Sequence, residues 1–336
     1  MMRFWRDGPL EHVRQKYRRL RLENATNQRL GKRGPWLLEK PTRFGRCQAS
    51  YATANLLGCF SRATTPESDY MAASPLINVM VAAARKAGRS LNRDFGEVEN
   101  LQVSVKGPAN FVSAADLRAE EIIYNELSKA REGYGFLMEE RGLVEGADKS
   151  HRWIVDPLDG TTNFLHGIPL FAISIGLERE GELVAGVIYN PVLDELYTAE
   201  KGKGAFLNDR RRLRVAGRRD IGECVIATGI PHRGRPQHEI FRKELRAVMD
   251  TVAGIRRTGS AAIDLAWTAS GRFDGLWERN LKPWDMAAGI VLVREAGGKT
   301  SDLDGDDAML EKGNIVAANS DIKKSLLAML TVATGA

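Results

Sequence analysis

The sequence predicts a layered α/β sandwich with mixed sheets. From Pro75 onward, apolar residues alternate between helical spacing and short strand-like runs, without a strict strand–helix–strand rhythm. The 336 residues, 43% hydrophobic and 27% charged, suffice for one large domain or two modest ones. Leu76, Val79, Met80, Ala83, Ala87 and Leu91 recur at helical spacing and predict an amphipathic helix. A second helix is expected over Ala115–Lys129, burying Ile122, Ile123 and Leu127. Trp153–Val155 reads as a short strand, and Phe171–Leu177 with Leu183–Tyr189 as a strand pair turning at 181–182. Further helices are expected over His238–Val252, Ala261–Ser270 and Ala287–Ala296, the last closed by Gly297-Gly298. There is no internal repeat.

The net charge of +6 is unevenly spread. Residues 1–70 hold 14 Lys and Arg against 6 Asp and Glu, whereas the remainder holds 35 against 37. The basicity therefore describes an N-terminal extension, not a nucleic-acid surface on the main domain. Its composition reads as a disordered tail or as upstream sequence translated from an early start, with Met71 a natural first residue. A nucleic-acid or membrane arm, or an organelle-targeting peptide, is the functional alternative. Domain organisation is thus expected as an extension, 1–70, and a catalytic domain, 71–336. No apolar run approaches membrane-spanning length, and Cys47, Cys59 and Cys224 are too scattered for a disulfide framework or a structural zinc site. A reducing, cytoplasmic setting is the expectation, with no membrane partner.

The densest chemical signal is Asp156-Pro157-Leu158-Asp159-Gly160-Thr161-Thr162-Asn163, directly after the apolar strand. Proline fixes the backbone between two carboxylates, which are hard oxygen ligands suited to Mg²⁺. Gly160 lets the chain turn so that the Gly160 and Thr161 N–H groups face an anion. Either aspartate alone would read as a turn residue; the whole string does not. Glu139-Glu140 follows the apolar run 135–138, while Asp116 and Asp285 each stand where a helix opens and, taken singly, read as N-caps. Two cations held by such carboxylates suit phosphate-ester hydrolysis, and each carboxylate would be poorly tolerated if buried without them. No cysteine, serine or histidine stands where a phosphoenzyme would need one, so direct attack by water is expected. His166 reads as a structural or surface residue and not a catalyst, and His151 and His232 carry no assignment.

Asp116, Glu139-Glu140, the 156–161 string, and Trp284-Asp285 followed by Gly297-Gly298 together resemble the motif series of the inositol monophosphatase family, which belongs to the lithium-sensitive, magnesium-dependent phosphatases. The resemblance covers about residues 72–333. It implies a five-layered αβαβα sandwich, usually a homodimer, hydrolysing phosphate monoesters of small polyols. It further implies that Glu139, Asp156 and the Leu158 carbonyl bind one Mg²⁺. Asp156, Asp159 and Asp285 would bind a second, and Glu139 with water a weaker third. Thr161, linked to Asp116, would orient and deprotonate the attacking water, and the Gly160 and Thr161 amides would hold the phosphate. Gly259-Ser260-Ala261 resembles a substrate-contacting segment, Glu278 a receiver of sugar hydroxyls, and Lys106 a flexible-loop lysine near the site.

Met138, Arg141 and Ser113 depart from the family pattern. None removes a ligand, but Arg141 is expected to alter the charge near the metals, which makes magnesium dependence the firmer expectation than lithium sensitivity. The leading function is hydrolysis of myo-inositol monophosphate and similar polyol phosphates, since a carboxylate at Glu278 accepts hydroxyls and repels a second phosphate. The alternatives are fructose-1,6-bisphosphatase, 3′-nucleotide phosphatase or histidinol-phosphate phosphatase activity. A role as a transcription or RNA-assembly partner with secondary phosphatase activity is the alternative of a different class.

Overall fold

The computed structural model describes residues 74–95, 103–107 and 110–335, by backbone alone for 103–107 and 110–112. The basic extension and the Lys106 side chain lie outside the described residues. Helix α1 (Pro75–Phe95) buries Ile77, Met80, Ala84, Ala87 and Leu91, one stripe of a 3.6-residue repeat. After the hairpin β1 (Val103–Gly107) and β2 (Asn110–Ser113) comes α2 (Ala114–Ala130). Asp116 is not its N-cap: Ser113 holds that place, and Asp116, three residues on, accepts the Ser113 N–H at 2.9 Å as the return half of a capping box.

The large sheet has eight strands in the order β10-β9-β8-β7-β6-β5-β3-β4. In chain order they are β3 (Tyr134–Met138), β4 (Gly142–Val144), β5 (Asp148–Asp159), β6 (Ala172–Arg179), β7 (Glu182–Asn190), β8 (Glu195–Glu200), β9 (Gly204–Leu207) and β10 (Arg211–Arg212). Strand β5 is far longer than the three residues expected, because extended pairing begins in the polar stretch at Asp148 and continues to Asp159. Its register with β6 slips between Asp156 and Asp159, where Pro157 has no N–H to offer the ladder. The β6–β7 turn lies one residue earlier than expected. Glu180 and Gly181 both have positive φ, 54° and 79°, the pair of conformations a two-residue hairpin turn needs.

The second sheet, ordered β12-β11-β13-β15-β14, comprises β11 (Val225–Thr228), β12 (Gly254–Arg256), β13 (Gly275–Glu278), β14 (Lys299–Ser301) and β15 (Ile315–Ala318). Between the sheets lie α5 (Ala261–Ala269) and α6 (Pro283–Glu295). On the far side of the small sheet are α4 (His238–Met249) and α8 (Ser320–Thr334). Two short helices, α3 (Thr161–Leu165) and α7 (Met309–Lys312), and a 3-10 turn over Ile221–Glu223 complete the described elements. The order is α1/α2, large sheet, α5/α6, small sheet, α4/α8. This is the five-layered sandwich, with one apolar core in each of its two outer junctions and one around the central helices.

The strand alternation shows how the layers are held. Strand β6 turns Ile173, Ile175 and Leu177 toward α1 and α2, and Ser174 and Gly176 toward α6. A Cβ at Gly186 of β7 would stand 2.4 Å from the Ala288 carbonyl oxygen, and one at Gly176 would stand 2.9 Å from Ala287 Cβ. Only glycines let α6 settle this close to the sheet. Ser174 Oγ then donates to the Trp284 carbonyl at 3.0 Å, fixing the helix's first turn beside the end of β5. That contact sets the position of Asp285.

Candidate active site

Three carboxylates from two distant stretches meet at this junction. Asp156 and Asp159 come from the end of β5, and Asp285 from the first turn of α6, which begins at Pro283, four residues earlier than expected. One oxygen from each lies within 4.8 Å of those of the other two. Each also accepts from a donor outside the group. Asp156 Oδ1 accepts the Leu158 N–H at 2.9 Å, and Asp285 Oδ2 accepts the Lys282 N–H at 2.7 Å. Asp159 Oδ2 accepts the Ser260 hydroxyl at 2.5 Å and the Ala262 N–H at 2.7 Å.

The electrostatics follow from that packing. Burial, then the charges of Glu139, Asp159 and Asp285, push Asp156 well above the usual carboxylate range. Burial also raises Asp159 to about 6 and Asp285 to about 7, despite the donors that each accepts. No Lys or Arg among the described residues forms an ion pair with any of the three. Buried, convergent hard oxygens that repel one another are the donor set a small divalent cation takes. The residues present fit such an ion.

Glu139, just past β3, is tied by its N–H to the Val155 carbonyl at 3.2 Å. It lines the same cavity of about 180 Å³ but stands outside the 4.8 Å group. Leu158, Gly160, Thr161, Gly259, Ser260, Ala261 and Glu278 line it too. Asp116 reaches it indirectly: Thr161 Oγ donates to Asp116 Oδ1 at 3.1 Å and lies 3.2 Å from the Leu158 carbonyl. Asp116 is raised by burial against the Ser113 and Thr161 donors. Gly160 adopts φ 98°, and a Cβ there would meet the Leu170 carbonyl oxygen at 3.1 Å. Ser260 is placed as a positioning residue, since its hydroxyl proton goes to Asp159 and its oxygen caps α5 by accepting the Ile263 N–H at 3.2 Å.

Arg141 pairs with Glu120 and Glu121 on α2, its guanidinium 4.4 Å from the Tyr124 ring centroid. His166 is exposed, with Nδ1 2.8 Å from the Thr162 carbonyl. His151 stacks on Tyr134 and bonds Asp148, away from the cavity.

Other cavity residues were not singled out by the sequence. Asp264, on α5, is buried, raised to about 8 by burial, and has an oxygen without a partner. Arg235 and Arg257 enter from loops. Gly229 faces Glu278 so closely that a Cβ would fall 1.7 Å from Glu278 Oε1. The signal for Gly229 was its position after the apolar run Val225–Thr228; the arginines had none, because loop packing alone directs them.

The match to known proteins follows the same residues. A profile of the inositol monophosphatase family matches residues 72–334. The inositol-1-monophosphatase of Mesorhizobium japonicum is 66% identical over 257 residues, 76% of this chain and 96% of that protein. The protein named Nus factor SuhB of Pseudomonas aeruginosa is 42% identical, over 75% of this chain and 94% of its own length. A crystal structure of the extragenic suppressor protein suhB from Bartonella henselae superposes with a TM-score of 0.75 at 62% identity. It covers 76% of this chain and 98% of its own. With the carboxylates meeting between the layers as described, the chain belongs to the inositol monophosphatase family.

Proposed function

We propose that this phosphatase hydrolyses myo-inositol monophosphate and similar polyol phosphates with Mg²⁺ as its metal, and that residues 71–336 form the catalytic domain. The observation that carries the reading is the meeting of the buried Asp156 with the half-buried Asp159 and Asp285, with no Lys or Arg of the described residues in an ion pair with any of them. Glu139, Asp156 and the Leu158 carbonyl would hold one ion, and Asp156, Asp159 and Asp285 a second, with a weaker third near Glu139. When bound, such ions neutralise phosphoryl charge and acidify water.

The rest is the work of the chain. Thr161, with its proton directed to Asp116, keeps oxygen lone pairs free to accept a hydrogen bond from water and aim it at phosphorus. The first N–H groups of a helix have no intrahelical acceptor, so the Gly160 and Thr161 amides are available to the phosphate oxygens. Glu278 offers Oε2, buried and without a partner, to the polyol hydroxyls, beside Gly259 and Ala261. Water adds to phosphorus, the bond to the polyol oxygen breaks, and that oxygen leaves with a proton. Lithium sensitivity, a homodimer and a cytoplasmic setting are supported by family membership alone. No described helix is long and apolar enough to cross a membrane.

Phosphate release should be measured on myo-inositol 1-phosphate, adenosine 3′,5′-bisphosphate and histidinol phosphate, with and without Mg²⁺. The reading expects turnover that requires Mg²⁺ and is highest on the inositol ester. Preference for the nucleotide or for histidinol phosphate overturns it.

A further inference from the structure

Outside the cavity, helix α4 meets the small sheet through Phe241, Glu244 and Val248, one stripe of a helical repeat. Phe241 stacks on Trp277 of β13, with ring centroids 6.3 Å apart and planes 17° from parallel. Val248 belongs to the same apolar core as Trp277. Glu244 is wholly buried in the middle of this stripe, a position that the pattern would give to an apolar residue. Its Oε1 accepts two N–H groups of Arg279, from Nε at 2.9 Å and Nη2 at 2.5 Å, and its Oε2 has no partner. A buried ion pair generally stabilises a fold no better than apolar side chains of the same volume. Stability therefore does not account for this pair, but its place on the strand does.

Arg279 follows Glu278 directly, where β13 loses its support. Trp277 is the last residue of β13 paired with β11, and Glu278 pairs with Ile315 of β15 alone. Side chains of the strand alternate: Leu276 enters the central core, Trp277 the outer one and Glu278 the cavity. Arg279 borders the cavity too, but its Nε and Nη2 are spent on Glu244, on the α4 side. Beyond it the chain turns at Asn280, φ 61°, and is next held where the Leu281 N–H donates to the Gly313 carbonyl at 2.8 Å. Glu278 makes no side-chain hydrogen bond among the described residues, so the backbone that carries it sets where its carboxylate stands.

We propose that the Glu244–Arg279 pair positions Glu278 for the polyol by tying the end of β13 to α4. Both are positioning residues, acting through Glu278. This rests on the reading of Glu278 as the polyol acceptor, and it makes affinity for the polyol, not chemistry at phosphorus, depend on an ion pair in the outer layer.

The test measures KM and kcat of the full chain, with Mg²⁺, on myo-inositol 1-phosphate and on phenyl phosphate, which has no polyol hydroxyls. E244L/R279M replaces the pair by apolar side chains of similar volume, so its melting temperature should hold. KM for the inositol ester should rise about tenfold with kcat little changed. For phenyl phosphate KM, or the inhibition constant if it is not turned over, should stay at the wild-type value. E244Q, whose amide oxygen still accepts both N–H groups, should recover most of the loss. An unchanged KM for the inositol ester, equal changes on the two esters, or no recovery in E244Q overturns the proposal. Should E244L/R279M not fold, R279K makes the same comparison with the same outcomes. A wild type inactive on myo-inositol 1-phosphate defeats the phosphatase reading separately. Titration calorimetry with that ester then decides the positioning role: tighter binding by wild type than by R279K supports it, and equal binding overturns it.

Discussion

Two acidic clusters in this molecule solve the same problem in opposite ways. In the loop after β14, the buried Asp302 accepts the Asp304 and Asp306 N–H groups at 2.9 and 2.8 Å. Lys312 of α7 brings its ammonium to 2.5 Å from Asp302 and 2.7 Å from Asp304, with Asp306 at 3.7 Å. Burial by itself would raise Asp302, but the Lys312 ammonium and the two N–H donors outweigh it, and the pKa is lowered. Asp156, Asp159 and Asp285 receive no such residue, and all three are raised. The chain supplies a cation where the cluster is structural. Where no Lys or Arg closes an ion pair, the three oxygens are left able to hold a cation from solution, and that cluster lies beside Thr161, Glu278 and the cavity.

The comparison breaks most sharply at Asp156. Asp156→Asn should lower Mg²⁺-dependent turnover of myo-inositol 1-phosphate by at least about a hundredfold while the metal-free protein becomes more resistant to heat, because one buried repulsive charge is gone. Phosphate release and thermal melts on the same preparations check both halves. Thr161→Ala should cost about a hundredfold in kcat with a smaller change in KM, since the hydroxyl acts on water and not on the polyol.

Lys312→Met should convert the second cluster into the first kind. Its melting temperature should fall in metal-free buffer and recover when Ca²⁺ or Mg²⁺ is added, whereas activity at saturating Mg²⁺ should change little. Calorimetric melts with and without the ion measure this.

The pH dependence sharpens the same contrast. Asp285 has a folded pKa of about 7 against an ordinary value of 3.8, so the folded state holds the proton more tightly. Its contribution to stability is fully present below pH 3.8 and is lost as pH rises through about 7. Asp285→Asn should therefore gain melting temperature over the metal-free wild type across that window, and saturating Mg²⁺ should close the gap. The smallest effect expected is from Gly229→Ala. Displacing the Glu278 carboxylate should raise KM for myo-inositol 1-phosphate several-fold with kcat little changed, as steady-state kinetics would show.

Residues whose chemistry and position are both local were legible in the sequence. Asp156 and Asp159 are separated only by Pro157-Leu158, and Asp285 lies in the first turn of α6, so strand and helix signals nearly place them. The five layers were legible only through the family resemblance, because periodicity identifies helices and strands but not their stacking order. The true cap of α2 was missed because Ser113 and Asp116 share the task, and one sequence pattern serves either assignment. The pairing of Arg141 with Glu120 and Glu121 was not legible because it brings together residues about twenty positions apart. Arg235, Arg257 and Asp264 belong to that class too: only the meeting of loops and of α5 with the cavity brings them there.

The most direct test is a crystal structure of the protein grown with Mn²⁺ in place of Mg²⁺, with anomalous scattering recorded at the manganese edge. The account expects a peak bounded by Asp156, Asp159 and Asp285 and none at Asp302, where Lys312 already stands. An empty Asp156 cluster, or manganese bound at Asp302 instead, would contradict it.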